Sequence, residues 1–169
     1  MKAGKAEKTG TAARTAILSG SFDPVTEGHR NLARRAEKLF GRVVVLVARN
    51  SGKTAFLPDD VRLESVRACL PGTEVLLTEG LLAEAAARFE NPVIVRGARD
   101  GSDFAYEWQV AAMNRDIGNI DTVVLPAEDG LAHVSSTYAR DLIRYGKTPE
   151  GIVPEEAWAV IRTYLEKKP

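Results

Sequence analysis

The sequence lacks the motifs that most directly identify phosphate-binding and metal-dependent proteins. It contains no G-x-x-x-x-G-K-[ST] phosphate loop and no G-x-G-x-x-G dinucleotide fingerprint. A single cysteine, Cys69, excludes a disulfide framework, and the two histidines do not form an H-E-x-x-H pattern, so a zinc site is not expected. A G-x-S-x-G nucleophile elbow is also missing, which leaves a serine hydrolase weakly supported.

The sequence also has no net charge at pH 7 and no long apolar run. Lys and Arg together number 23, as do Asp and Glu, so neither nucleic acid nor a membrane surface is an expected partner. No apolar run approaches the roughly 20 residues that a membrane-spanning helix needs. Residues 1–14 are rich in Lys, Ala and Thr without an apolar middle, which favours a disordered leader over a signal peptide. We therefore expect a cytoplasmic protein with a single domain over residues 15–169.

Short apolar runs rich in Val and Ile alternate with helical patterns along the chain. The runs cover 16–18, 43–47, 75–77, 93–95 and 122–125, and the helical patterns between them cover 28–40, 59–70, 81–89 and 103–117. Strand–helix alternation with continuous apolar strands is typical of a parallel sheet covered on both faces. The sequence therefore predicts an α/β fold, a doubly wound five-stranded parallel sheet, followed by C-terminal helices at 135–145 and 157–165. Ligands of such folds bind beyond the carboxyl ends of the strands.

The most informative segment is 20–29, GSFDPVTEGH, which joins the first apolar run to the first helical pattern. A strand that leads through a turn into a helix presents free backbone N–H groups and the positive end of the helix dipole to an anion. Gly20 lets the main chain approach a ligand, Ser21 supplies a hydroxyl, and His29 places an imidazole at the helix start. These residues favour a triphosphate site, although strand–turn–helix segments with glycine and proline are also common elsewhere.

Polar side chains follow the other predicted strands too. Lys53 follows the second run, Arg96 and Arg99 follow the fourth, and the segment 133–137, HVSST, follows the fifth and is also typical of a helix N-cap. Because the carboxyl ends of parallel strands share one rim, we expect these groups and His29 to surround one cleft that suits several phosphates. Loop arginines are more often solvated, but here a buried strand leads directly into Arg96, which favours a place at the rim.

The helical pattern at 103–117 has an unusual polar stripe. Asp103, Glu107 and Asn114 fall within about 40° of one another around a helix. The stripe faces either solvent or the cleft, and the residues alone leave both alternatives open. Two further faces of the same helix are apolar, which predicts a helix that is buried on more than one side.

Four motifs together resemble those of the bacterial phosphopantetheine adenylyltransferases, in the nucleotidyltransferase superfamily. T-x-G-H is present at 26–29, and I-S-S-[ST] is present as VSST at 134–137. The pattern R-G-x-R-x-x-x-D-F-x-Y-E-x-Q-x-x-x-M-N-R at 96–115 is long and specific, and NSGKT at 50–54 looks like the family's lysine loop. The resemblance covers nearly the whole chain from about residue 16 and implies a Rossmann-like nucleotidyltransferase fold.

The resemblance implies transfer of the adenylyl group of ATP to 4′-phosphopantetheine, giving dephospho-coenzyme A and pyrophosphate, with Mg²⁺ bound mainly through the ATP phosphates. It also implies a homohexamer and raises coenzyme A as a feedback ligand. His29 would hold ATP phosphates and stabilise charge at the α-phosphate. Ser21 would bind both ATP and the attacking phosphate, Lys53 would orient that phosphate, and Arg99 would complete the catalytic set.

The resemblance also assigns the two binding sites residue by residue. The implied ATP site comprises Ser21, Phe22, His29, Gly97, Ala98, Arg99, Glu107, Leu131, Ala132, His133, Val134, Ser135, Ser136 and Thr137. The implied phosphopantetheine site comprises Ser21, Lys53, Leu82, Arg96, Met113 and Asn114.

Several positions depart from the family pattern. Ser21 stands where threonine is usual, which keeps the hydroxyl but leaves its rotamer less fixed. Gly80 stands where an acidic residue is often found, which puts feedback by coenzyme A in question, and Val134 replaces isoleucine conservatively. The S-S-T-x-x-R arrangement at 135–140 adds Arg140 as a candidate phosphate contact.

Two other functions remain as alternatives at this point. A sister nucleotidyltransferase would act on nicotinate mononucleotide or on a sugar or alcohol phosphate, and the motif at 96–115 argues against it. A non-catalytic nucleotide-binding module would have the same fold but no catalytic activity. The presence of His29, Lys53, Arg96 and Arg99 argues against the module, since a chain without the activity would be free to lose them.

Overall fold

The computed structural model describes residues 13–49, 52 and 54–167. Within these residues the strands are β1 (Thr15–Gly20), β2 (Arg42–Ala48), β3 (Glu74–Thr78), β4 (Pro92–Ala98) and β5 (Thr122–Pro126). The helices are α1 (Glu27–Phe40), α2 (Asp59–Cys69), α3 (Leu82–Ala86), α4 (Gly101–Gly118), α5 (Ser136–Arg144) and α6 (Glu155–Lys167). Most of the predicted leader, residues 1–12, lies outside the described residues.

All five strands are parallel, in the order β3-β2-β1-β4-β5, which confirms the predicted doubly wound sheet. Leu18 of β1 pairs with Val45 of β2 on one side and with Val95 of β4 on the other. The chain adds β2 and β3 on one side of β1 and then crosses to add β4 and β5 on the other side. The winding therefore reverses between β1 and β4, and a crevice for ligands opens at the carboxyl ends of these two strands.

Alternate residues of the central strand enter separate cores on the two faces of the sheet. Ala16 and Leu18 pack with residues of α1, α2, α5 and α6, whereas Ile17 packs with residues of α3. Because both faces are covered, the strands are continuous apolar runs without polar alternation. Burial on both sides fixes the carboxyl end of β1, from which the segment with Ser21 and His29 continues.

Several helix boundaries differ from the predicted ones, and two of the differences have a clear local cause. Helix α3 ends at Ala86 rather than at residue 89, because the N–H groups at 88 and 89 bond to carbonyls three residues back. Helix α4 begins at Gly101, two residues earlier than predicted, because the Asp100 carboxylate caps it by accepting from the N–H groups at 102 and 103. No helix in the described ranges is long and apolar enough to cross a membrane.

Candidate active site

A cleft of about 430 Å³ opens at the carboxyl ends of β1 and β4, bounded by residues of α1, α4 and the start of α5. The predicted ATP-site residues that line it are Ser21, Phe22, His29, Gly97, Ala98, Arg99, Glu107, Leu131, Val134, Ser135, Ser136 and Thr137. Arg96 lines it too, whereas Ala132 and His133 do not. The fold thus brings side chains from separate parts of the sequence to one cavity, at the crevice that the strand order predicts.

The imidazole of His29 is oriented by the first turn of α1, which Thr26 caps. The Thr26 N–H donates to Nδ1 of His29 over 3.0 Å, and the Thr26 Oγ1 lies 2.9 Å from the same nitrogen. Since Nδ1 accepts the backbone hydrogen, the neutral ring carries its own proton on Nε2. The Phe22 ring packs against the imidazole at 4.8 Å between centroids. His29 therefore offers an Nε2–H donor to a ligand in the cleft.

The surroundings of His29 keep its ring uncharged. Burial, followed by the positive charges of Arg96 and Arg99, lowers the pKa of His29 from 6.5 to about 4. A proton on Nδ1 would also face the Thr26 N–H, which donates to that nitrogen. At neutral pH the ring is a neutral hydrogen-bond donor, and the positive charge in the cleft comes from arginines, which are Arg96, Arg99 and Arg35 among the described lining residues.

Arg96 and Glu107 form a bidentate ion pair between β4 and α4. Arg96 Nε and Nη2 each donate to a Glu107 carboxylate oxygen over 2.8 Å, and Nη1 donates to the Ser19 carbonyl over 2.5 Å. Glu107 is 6% exposed, and Asn114, also buried, donates to the Thr122 hydroxyl over 3.1 Å. These two residues of the polar stripe on α4 therefore point inward, toward the sheet and the cleft, rather than toward solvent.

Arg99 pairs with Asp103 in the first turn of α4, in a more open setting. Arg99 Nε donates to Asp103 Oδ2 over 2.8 Å, and the Arg99 N–H donates to the same oxygen over 3.1 Å. The hydrogen bond from the Arg99 side chain lowers the pKa of the Asp103 carboxyl. The Arg99 side chain is 42% exposed, so it keeps donors available to an anion in the cleft.

The segment 135–137 caps α5 at the edge of the cleft. The Ser135 hydroxyl accepts from the Tyr138 N–H, which confirms the predicted cap. The other two hydroxyls have partners of their own, because Ser136 Oγ donates to the Pro24 carbonyl and Thr137 Oγ1 accepts from Arg140. The groups best placed to hold a phosphate here are the unpaired N–H groups of the first turn of α5.

Two residues that the sequence analysis did not single out hold the loop between β1 and α1. Arg62 of α2 is 2% exposed and donates through Nη1 to the Ser21 carbonyl at 2.7 Å and to the Ala48 carbonyl at 2.9 Å. Asp23 accepts from the backbone N–H groups at 56 and 57. The spacing of residues 62, 66 and 69 along one face of α2 could have indicated that Arg62 points inward.

A second cavity of about 870 Å³ lies beside the cleft and is lined by side chains of both charges. Its lining includes Asp23, Asp59, Arg49, Arg62, Arg140 and Arg144. Within the described part of the chain, Ser21 is the residue common to both cavities, so it lies at their junction. Arg140 lines this second cavity, where its Nη1 donates to the Asp23 carbonyl over 2.6 Å, rather than the cleft.

The predicted acceptor-site residues that the structure describes do not all line one cavity. Lys53 lies outside the described residues. Leu82 is partly buried against the core on the α3 face, Met113 is exposed, and Asn114 is buried against β5; none of the three lines either cavity. Their assignment to the phosphopantetheine site stays a prediction.

Comparison with known proteins gives a consistent result. Residues 17–142 match the model of the cytidylyltransferase-like family. A phosphopantetheine adenylyltransferase of Symbiobacterium thermophilum is 41% identical over 143 residues, which cover 82% of this chain and 88% of that protein. Another protein of that name, from Nitrosospira multiformis, is 42% identical over 142 residues, covering 82% and 86%. A third, from Syntrophus aciditrophicus, is 36% identical over 160 residues, covering 92% and 95%.

Proposed function

The chain belongs to the phosphopantetheine adenylyltransferases, within the cytidylyltransferase-like family, and on that premise we propose that it transfers the adenylyl group of ATP to 4′-phosphopantetheine. The products are dephospho-coenzyme A and pyrophosphate, so the reaction is a step of coenzyme A biosynthesis. The observation that carries the proposal is that His29, Arg96 and Arg99 line one cleft at the crevice between β1 and β4.

The chemistry needs no nucleophile from the protein. The acceptor phosphate attacks the α-phosphorus of ATP, and pyrophosphate leaves in line with the attack. The protein contributes positioning and hydrogen-bond donors for the charge on the phosphoryl oxygens in the transition state. His29 supplies a neutral Nε2–H, Arg99 supplies a positive charge, and Ser21 lies at the junction where the two substrates would meet.

Mg²⁺ is the cation that we propose to accompany ATP. No group of three or more His, Cys, Asp or Glu side chains in the described ranges is placed to hold a metal ion. The carboxylates of the described lining residues, those of Asp103, Glu107 and Glu128, are each already paired with an arginine. This donor set fits an ion held mainly by the ATP phosphates and water, as Mg²⁺ often is, and there it would offset phosphate charge.

We propose that the acceptor phosphate binds beside Arg96, with Lys53 as a further cation. A guanidinium has five N–H donors, and Arg96 uses three of them for Glu107 and the Ser19 carbonyl. One hydrogen on each terminal nitrogen remains for a phosphate oxygen. The ion pair therefore fixes the direction of Arg96 without using up its donors.

Coenzyme A stays a proposed feedback ligand, because it carries the same pantetheine arm as the acceptor. Gly80, where the family often has an acidic residue, adopts a φ of 85°. Glycine takes up this conformation at no steric cost, whereas a residue with a Cβ is strained in it. Glycine at position 80 therefore suits the local backbone. The effect of this glycine on feedback by coenzyme A belongs to the proposal.

We further propose that the protein is a cytoplasmic homohexamer that assembles through α4. The exposed large apolar side chains of this helix are Phe104, Tyr106, Trp108, Met113 and Ile117. The prediction that both apolar faces of the helix are buried is thus not met within one chain, because the inward face is taken by Glu107 and Asn114. Exposed apolar side chains on two sides of one helix, with Phe104 and Trp108 on one side and Tyr106, Met113 and Ile117 on the other, are typical of an interface between subunits.

Pyrophosphate release in the presence of ATP and Mg²⁺ tests the catalytic proposal. Two acceptors are supplied in parallel, 4′-phosphopantetheine and nicotinate mononucleotide. We expect release with phosphopantetheine alone, together with a product that has the mass of dephospho-coenzyme A. Release with the mononucleotide alone would assign a sister nucleotidyltransferase, and release with neither acceptor would leave a nucleotide-binding protein without this activity.

A further inference from the structure

Carbonyl oxygens of the loop between β1 and α1 accept hydrogen bonds from side chains of α2 and α5. Arg62 donates to the Ser21 carbonyl, Arg140 to the Asp23 carbonyl, and the Ser136 hydroxyl to the Pro24 carbonyl. The Ser21 and Asp23 carbonyls thereby point toward Arg62 and Arg140, which line the second cavity, rather than into the phosphate cleft. An oxygen directed into the cleft would repel the phosphates that the cleft is proposed to bind.

The anchor at Ser21 has a direct consequence for the next residue. In a planar trans peptide the C=O and the following N–H point in opposite directions. The Ser21 carbonyl points toward Arg62 in the second cavity, so the N–H of Phe22 points away from Arg62, and Phe22 lines the cleft. Phe22 adopts a φ of 46°, a region that residues with a Cβ enter at a cost. Something must therefore hold this peptide in its orientation.

Arg62 has the contacts to do so. Its guanidinium joins the Ser21 carbonyl to the Ala48 carbonyl at the end of β2, and Nη2 pairs with Asp59 at the start of α2. Arg62 Nε is buried and finds no hydrogen-bond partner among the residues that the structure describes. A buried cation with an unsatisfied N–H is unfavourable for stability alone, since an apolar side chain would fill the same space without that cost.

We propose that Arg62 is a positioning residue for adenylyl transfer, which orients the Ser21–Phe22 peptide so that the Ser21 hydroxyl and the Phe22 N–H meet the reacting phosphates. The inference rests on the proposed function, because only a reaction between phosphates at the cleft gives this orientation a use. Arg62 touches no substrate in this account and acts through Ser21 and Phe22. Its removal is therefore expected to affect the transition state more than the binding of the adenine and pantetheine groups, which take no part in the bond changes.

Steady-state kinetics of Arg62→Lys test the proposal, with wild type assayed in parallel. Lysine keeps the positive charge but has a single nitrogen, so it cannot reproduce the two guanidinium nitrogens of which one bonds the carbonyls and the other bonds Asp59. We expect kcat to fall about tenfold or more, the scale that a slightly misplaced reacting group produces, while both KM values change by less than about threefold. Arg67→Lys is the matched control, because Arg67 also lies on α2 and donates to a strand carbonyl, that of Val75, away from the loop. Its kcat should stay within about twofold of wild type.

A double-mutant cycle with Ser21→Ala separates positioning from general destabilisation. If Arg62 acts through the Ser21–Phe22 peptide, the loss in Arg62→Lys/Ser21→Ala is smaller than the product of the two single losses by about fivefold or more. Losses that multiply, or a kcat for Arg62→Lys equal to wild type, overturn the proposal. If Arg62→Lys does not fold, Asp59→Asn removes one guanidinium partner instead and is judged by the same cycle. A wild type without product formation would reject the proposed function itself, which distinguishes the two failures.

Discussion

Glu107 holds Arg96 by two parallel hydrogen bonds of 2.8 Å, and the pair joins α4 to the end of β4 at the wall of the cleft. Removing one partner of a buried ion pair is more damaging than exchanging both, because the remaining charge loses its compensation. The structure thus makes Glu107 the side chain that sets the direction of Arg96, whereas the family resemblance assigns Glu107 to the ATP site.

Glu107→Gln distinguishes these two roles. Gln keeps the shape but loses the charge, so Arg96 is held by weaker bonds and the free energy of unfolding falls by about 1–3 kcal/mol. If Glu107 acts through Arg96, the KM for phosphopantetheine rises about tenfold and the KM for ATP changes little. Initial rates with each substrate varied in turn give both constants. A rise confined to the KM for ATP would show that Glu107 contacts the nucleotide.

Asp103→Asn serves as the matched control for this variant. Asp103 lies one turn earlier on α4 and also pairs with an arginine, but in a more exposed position. Because exposed ion pairs contribute about 0–1 kcal/mol, we expect a smaller loss of stability than for Glu107→Gln.

His29 is predicted to matter for turnover through its Nε2–H. His29→Ala should lower kcat at least about a hundredfold, the scale of losing one donor to the transition state. It also removes the capping-box contact with Thr26 and should lower the unfolding free energy by about 1 kcal/mol. Single-turnover rates and thermal unfolding measure the two effects.

His29→Gln separates catalysis from helix capping. Glutamine at the third position of a helix forms the same capping box with threonine, so stability should stay close to that of wild type. We expect turnover to remain low, since the amide does not reproduce the position of Nε2. A kcat within about threefold of wild type would remove His29 from the mechanism.

The low pKa of His29 predicts a distinctive pH dependence of turnover. With a pKa of about 4 in the folded protein, the ring is neutral across the physiological range. The rate should therefore show no step that belongs to His29 near pH 6.5, the ordinary value for histidine. The logarithm of kcat, measured from about pH 5 to pH 8 at saturating substrates, checks this. A step near pH 6.5 that disappears in His29→Gln would contradict it.

The same shift links folding stability to pH. The unfolded chain takes up a proton at His29 near pH 6.5, whereas the folded chain does so only near pH 4. Between these values the unfolded state binds more protons, so stability is fully present above pH 6.5 and is lost as the pH falls toward 4. The loss amounts to at most about 3 kcal/mol. Urea unfolding of wild type and His29→Gln at several pH values should give curves that differ by this loss.

The sequence predicted the sheet and its direction well because all five strands are apolar runs, continuous or nearly so, separated by helical patterns. It also predicted that His29, Arg96 and Arg99 share one rim, since each follows a strand or opens a helix at the carboxyl side of the sheet. These inferences need only periodicity and chain direction, which are local properties of the sequence.

The remaining features of the site depend on contacts between distant parts of the chain. The sequence left open whether the stripe with Glu107 faces solvent, because that depends on the rotation of α4 about its own axis over the sheet. Arg62 was missed because its partners are main-chain carbonyls, 41 residues away at Ser21 and 14 away at Ala48, which no side-chain motif records. The lowered pKa of His29 likewise follows from burial that only the folded chain produces.

The exposed apolar surface of α4 gives the last prediction. Trp108 is 69% exposed and lies beside Phe104 on one apolar side of the helix, with 6.2 Å between the ring centroids. Trp108→Glu would place a charge in the proposed interface, where burial without a partner is unfavourable. We expect the assembly to dissociate to smaller species that keep the secondary structure of wild type. Sedimentation velocity gives the mass, and circular dichroism verifies the fold.

Tyr145→Glu is the matched control for the assembly. Tyr145 is an even more exposed aromatic residue, at 81%, but it lies at the end of α5 rather than on α4. A charge there should leave the mass of the assembly unchanged, because exchanging one solvated side chain for another changes the free energy of the protein little. Dissociation by Tyr145→Glu with an intact assembly of Trp108→Glu would place the interface near α5. An unchanged mass in both variants would separate the exposed surface of α4 from assembly altogether.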